Sequence, residues 1–123
     1  MDCNFSCEEN LFRAVYPPEI KSMYWNDDGT VAPAAFIDPK GKGLSVNRSG
    51  GRSDGEVVNS MKSFKGSIIK LNVGNCLTIG LYLAYKPNKG NIYHSEIYDN
   101  QNEKLISLGK RTKMAQFAEI VKN

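Results

Sequence analysis

The chain has 123 residues, 41% of them hydrophobic, which suits one domain with one core and argues against two. Sixteen Lys and Arg against thirteen Asp and Glu give a formal charge of +3, far short of a protein that coats nucleic acid by charge alone. No apolar run approaches the ~20 residues of a membrane-spanning helix, and the opening MDCNFSCEEN lacks the apolar core of a signal peptide, so a soluble, reducing, cytoplasmic setting is expected.

Residues 1–9 read as a flexible leader and 10–123 as a single domain. Leu11 to Tyr16 alternates and is β-prone, ending at Pro17 and Pro18. Its parity puts Arg13 on a face with Leu11 and Val15, so a central strand would oblige the guanidinium to find a partner or a ligand. An Asp27-Asp28-Gly29 turn follows, and Pro33 demotes Val31 to Ile37 to an edge or irregular piece.

Gly41 to Glu56 is the densest stretch, with five glycines, three serines, Lys42, Arg48 and Arg52 in sixteen residues. Glycines expose backbone N–H groups, and guanidinium and hydroxyl groups add donors for an anion. A small phosphate-bearing ligand fits Arg48 and Arg52 here; the alternative is a plain loop ending in the Ser53/Glu56 capping box of a helix. That helix is expected near Asp54 to Phe64, with Val57, Val58, Met61 and Phe64 on its apolar stripe. Leu44 to Asn47 reads as a short strand.

Ser67 to Val73 is predicted as a strand, Gly74-Asn75 as a hairpin turn and Leu77 to Tyr85 as the central strand. Asn91 to Tyr98 and Glu103 to Leu108 complete an antiparallel meander. Thr112 to Val121 is expected to be a helix whose Met114, Phe117, Ala118 and Val121 lie on the sheet. Lys110, Arg111 and Lys113 crowd its N-terminal end, where each cation costs about 0.3–1 kcal/mol unless an anion sits there, so Lys110 and Arg111 form a second candidate anion site. The fold class is therefore α+β, with five to seven antiparallel strands and two helices packed on them.

The only histidine, His94, shares a strand face with Glu96 and Tyr98, about 7 Å from Glu96. With Tyr93 these residues have the groups to read a base and a ribose or to serve acid/base chemistry. One histidine, three cysteines without CxxC and no HExxH or DxDxDG spacing give no metal site, and no GxSxG elbow marks a hydrolase. No resident cofactor is expected. Cys76 is read as a small buried apolar residue.

Arg13, Ser45 in GLSVNRS and Glu96 occur in the order arginine, serine, glutamate, each on an expected strand. This order resembles the triad of the arginine-type ADP-ribosyltransferases, which bind NAD in a cleft of a split β-structure. The resemblance implies that Arg13 holds a phosphate or ribose, Ser45 supports the nicotinamide pocket and Glu96 orients a ribose hydroxyl. Val46 and Asn47 stand where that family's S-T-S motif continues, and His94 stands two residues before Glu96 in place of Glu or Gln.

The function expected is recognition of a nucleotide or nucleotide-derived signal by Arg48, Arg52, Lys110 and Arg111 (phosphates) and Tyr93, His94, Glu96 and Tyr98 (base and sugar). An NAD-using enzyme with catalytic candidates Arg13, Ser45, His94 and Glu96 is one alternative. A protein-interaction or inhibitor module presenting Tyr24, Trp25 and Phe36 is the other. The partners expected are a small anionic ligand and, through a sheet edge, a second copy of the chain, with neither long nucleic acid nor membrane.

Overall fold

The computed structural model describes residues 5–38 and 40–123. Six strands, β1 (Asn10–Val15), β2 (Leu44–Arg48), β3 (Ser67–Asn72), β4 (Tyr82–Tyr85), β5 (His94–Tyr98) and β6 (Glu119–Lys122), form one sheet in the order β4-β5-β2-β1-β3-β6. All its neighbours run antiparallel. Three helices, α1 (Asp54–Ser60), α2 (Val73–Thr78) and α3 (Leu108–Phe117), complete an α+β fold.

Strand parity divides the apolar side chains between two faces. Leu11, Val15, Leu44, Val46, Ile69, Leu71, Leu83 and Ile97 point to one face and join Phe36, Cys76 and Met114 in the main core, under α2, α3 and the 3-10 turn Pro33–Phe36. Phe12 and Ile68 point to the other face, where Val57 of α1 covers them. Ser45, Asn47, His94 and Glu96 also point there, along the half of the sheet that α1 does not reach. One face of β2 and β5 is thus left open and polar.

The middle of the sheet is split. β1 and β2 are paired only at Leu11 with Arg48 and at Phe12 with Asn47. Beyond that the strands part, and the Arg13 side chain enters the gap, donating from Nε to the Ala35 carbonyl at 3.0 Å and from a terminal nitrogen to the Ser45 carbonyl at 2.9 Å. A guanidinium fork replaces the missing rungs of the ladder, which is how a charge sits in a central strand without being orphaned. Its burial pulls its pKa down, offset by the nearby Tyr24 and Asp38.

The meander is not formed. Asn72 caps a helix by accepting the Asn75 N–H at 3.0 Å, Val73 and Cys76 bury on its inner side, and Gly80, at φ +83°, ends it. Gly74-Asn75 therefore lies inside α2, and the expected central strand shrinks to Tyr82–Tyr85 at the sheet edge. Residues 103–107 form no strand. They lead into α3, which starts four residues before Thr112 and stops at Phe117, so that Val121 lies on β6 and packs on the Phe12 side.

Residues 5–9 are not a loose leader. Phe5 is buried, the Cys7 carbonyl accepts the Gly74 N–H and the Glu9 carbonyl accepts the Val73 N–H. The remainder of the expected leader lies outside the described residues, as does Cys3. The Asp27-Asp28-Gly29 turn forms, Pro33 begins a 3-10 turn, and the Ser53/Glu56 capping box is present. Cys76 packs as an apolar residue, burial pushing its thiol up to about 12. No helix among the described residues is long and apolar enough to cross a membrane.

Candidate functional site

The open face carries two adjoining cavities that share Asn47, Met61 and Asn91. The smaller, about 230 Å³, lies at the split and is lined by Phe12, Arg13, Ala14, Ser45 and His94 besides the shared residues. The larger, about 400 Å³, is bounded by Arg52, Ser60, Lys89 and Tyr93. Among the described residues no group of three or more His, Cys, Asp or Glu could hold a metal ion.

The two arginines of the glycine-rich stretch have different fates. Arg48 makes a bidentate pair with Glu9, both contacts at 2.7 Å, with side chains 12% and 8% exposed, and its guanidinium lies 4.2 Å from the Phe5 ring centroid and 4.9 Å from that of Tyr85. Burial pushes the Glu9 carboxyl upward, but the Arg48 hydrogen bonds and charge together with the Gly50 N–H outweigh it, and the pKa falls below the ordinary value. Arg48 therefore anchors the segment before β1 rather than facing a cavity. Arg52 lines the larger cavity, its guanidinium 3.5 Å from the centroid of the Tyr93 ring. It donates to the carbonyls of Ser49 and Arg48, each at 3.0 Å, and to Ser60 Oγ at 3.3 Å. No carboxylate among the described residues forms an ion pair with it. Its remaining N–H groups are donors for a ligand.

Gly50 makes the stack possible: a Cβ there would come within 2.8 Å of the Tyr93 ring. Lys89, from the turn before β5, adds a second cation to the same cavity.

The strand register assembles the other candidates. Ser45 pairs directly with Glu96, and Asn47 with His94. Ser45 Oγ is 2.9 Å from His94 Nε2, and His94 Nδ1 is 2.9 Å from the Lys86 carbonyl. Glu96 accepts the Tyr98 hydroxyl at 2.9 Å, above Gly43, where a Cβ would fall 2.1 Å from the Tyr98 ring. Burial, then the bond to Glu96 and its charge, push the Tyr98 hydroxyl up to about 12, so it stays a donor. Arg13, Ser45 and Glu96 thus come from three neighbouring strands of the sheet, β1, β2 and β5; Arg13 and Ser45 line the cavity at the split, whereas Glu96, like Tyr98, lines neither cavity. Arg13 touches Ser45 through its carbonyl, and Ser45 faces Glu96 across a strand pair.

Lys110 and Arg111 are elsewhere. Lys110 Nζ donates to the carbonyls of Gly80 and Asp99 at 3.0 and 2.5 Å and stands 3.6 Å from the Asp99 carboxylate; Arg111 Nε donates to the Ile106 carbonyl at 3.0 Å. These cations fold back onto chain carbonyls and lie outside both cavities. Lys89, Asn47 and Asn91 were not among the expected site residues, because only the β2–β5 register and the Pro87–Gly90 turn bring them to the groove.

No protein-family model, no curated protein and no solved structure matches the chain.

Proposed function

We propose that the chain binds a small phosphate-bearing ligand, a nucleotide or a nucleotide-derived signal, in the groove on the open face of the sheet. The observation that carries this reading is Arg52: a cation stacked on Tyr93, forming no ion pair among the described residues although the Glu56 carboxylate feels its charge, at the wall of a cavity that also holds Lys89. A phosphate would complete its hydrogen-bonding fork, and the amides of Asn47 and Asn91 lie beside it. The two cavities, about 400 and 230 Å³, fall together within the range of roughly 300–1,000 Å³ of small-molecule sites. His94, which lines the smaller cavity, would meet the base and sugar. A thermal-shift series with NAD, ADP-ribose and cyclic dinucleotides tests it. Stabilisation by at least one of them, lost in Arg52→Ala combined with Lys89→Ala, is expected; a flat series rejects the reading.

The placement of Arg13, Ser45 and Glu96 on three neighbouring strands, with Ser45 paired to Glu96, favours one specific form of this reading. In that form the ligand is NAD, and the chain uses it as an ADP-ribosyltransferase-like enzyme. Glu96→Gln should then abolish nicotinamide release while the NAD-dependent shift in melting temperature persists. The rival interaction module has less support: Phe36 is buried at 1% exposure, and the Trp25 indole is tied to the Tyr16 carbonyl at 2.8 Å, so no continuous aromatic face is presented.

A further inference from the structure

We infer that Ser45 and His94 are a nucleophile and its base, and that the cavity at the split accepts the acyl group of a small carboxylic ester. The tautomer of His94 follows from its neighbours. The Lys86 carbonyl can only accept, so the Nδ1 beside it at 2.9 Å carries the proton of the neutral ring. Nε2 is then the lone-pair nitrogen, and the Ser45 hydroxyl 2.9 Å away donates to it. A hydroxyl donating to an imidazole whose far side is fixed by a third group is the arrangement that activates serine. Ser45 is exposed, so a substrate can reach it, and both side chains line the same cavity.

The neighbouring amides supply what a charged intermediate needs. Asn91 Oδ1 accepts the Tyr93 backbone N–H at 2.9 Å, which fixes its amide orientation. Its Nδ2 therefore donates to Asn47 Oδ1, and this fixes the second amide in turn. The Asn47 Nδ2 hydrogens have no hydrogen-bond partner among the described residues. They are donors on a residue directly paired with His94 and two positions from Ser45 on the same strand face. A donor held in place before charge develops is worth about 10²–10³-fold in the rate of acyl transfer. Phe12, Ala14 and Met61 give the cavity, about 230 Å³, an apolar wall that matches a short acyl chain.

The chemistry balances without a co-reactant other than water. Ser45 Oγ bonds to the ester carbonyl carbon while its proton passes to His94 Nε2. The tetrahedral intermediate collapses, the bond to the leaving alcohol breaks, and the alcohol takes that proton. Water then attacks acyl-Ser45, giving one proton to Nε2; the acid departs, and Ser45 Oγ recovers the proton. This inference stands apart from the nucleotide reading, which requires no nucleophile.

The test treats the full chain with a fluorophosphonate and, separately, with p-nitrophenyl acetate and butyrate, mapping adducts by peptide mass spectrometry. Phosphonyl and acyl adducts confined to Ser45 are expected, absent in Ser45→Ala and unchanged in Ser107→Ala, a control at an exposed serine before α3 that lines neither cavity. His94→Gln should slow labelling about 10²–10⁴-fold, as loss of a general base does, with its melting temperature within the scatter of wild type. Adducts elsewhere on the chain, or equal labelling of Ser45 in folded His94→Gln, overturn the inference. Nucleotide stabilisation scored on the same samples separates the two readings, since either can fail while the other holds.

Discussion

Removing Arg48 should unfold the chain's first anchor, and the size of the effect follows from its surroundings. Arg48→Ala leaves the Glu9 carboxylate, 8% exposed, with the Gly50 N–H as its principal partner and without its bidentate counter-charge. Breaking one side of a buried, hydrogen-bonded pair costs about 3–5 kcal/mol, and loss of the stacking on Phe5 adds about 0.5–1 kcal/mol. At about 4 °C per kcal/mol for a chain of this length, the melting temperature should fall by about 14–24 °C. Replacing both partners, Glu9→Met with Arg48→Met, should recover most of that loss, because two apolar side chains need no counter-charge. Circular dichroism melts of the two singles and the double give the coupling energy directly. Arg48→Ala melting within about 2 °C of wild type but no longer responding to nucleotide would refute the assignment of Arg48 to structure.

The same pair gives the acid limb of stability its sign. Glu9 and Asp99 both titrate below their ordinary values of 4.5 and 3.8, Asp99 chiefly because it accepts the Ser107 N–H. Their contribution is complete above those values and disappears as pH falls through the lower folded ones. Urea midpoints should therefore hold from pH 7 to about 5 and drop steeply below 4, less steeply in Glu9→Gln. Gly43→Ala drives a methyl group into the Tyr98 ring and the Glu96 carboxylate and should cost about 1–3 kcal/mol. A panel of melts would reveal the loss. Cys7, exposed, should react with a thiol reagent in the native protein while Cys76 reacts only on unfolding, as peptide mapping after brief alkylation can show.

Local signals were legible where a side chain or a turn decides the conformation by itself. The capping box at Ser53 and Glu56, the Asp-Gly turn, the interruption at Pro33 and the face shared by His94, Glu96 and Tyr98 all depend on spacing of a few residues. Asn72 and Gly80 were equally available as the cap and terminator of α2. Gly74-Asn75 offered a competing turn, and the alternation from Leu77 onward fits either outcome. Burial of Val73 and Cys76 decided it, and burial is a tertiary fact. The split was not legible, because strand order brings β1 beside both β2 and β3, and no local pattern encodes that. Arg13 was recognised as a charge needing a partner; that its partners are two carbonyls, from the Pro33–Phe36 turn and from β2, required the assembled sheet. The 2.9 Å approach of Ser45 to His94 likewise joins residues 49 positions apart.

The sparse join between β1 and β2 has a mechanical consequence. Two paired positions, the hydrogen bonds between Asn10 and Ser49 beside them and the Arg13 guanidinium on the Ser45 carbonyl make up the join, so at the mouth of the small cavity few rungs resist spreading.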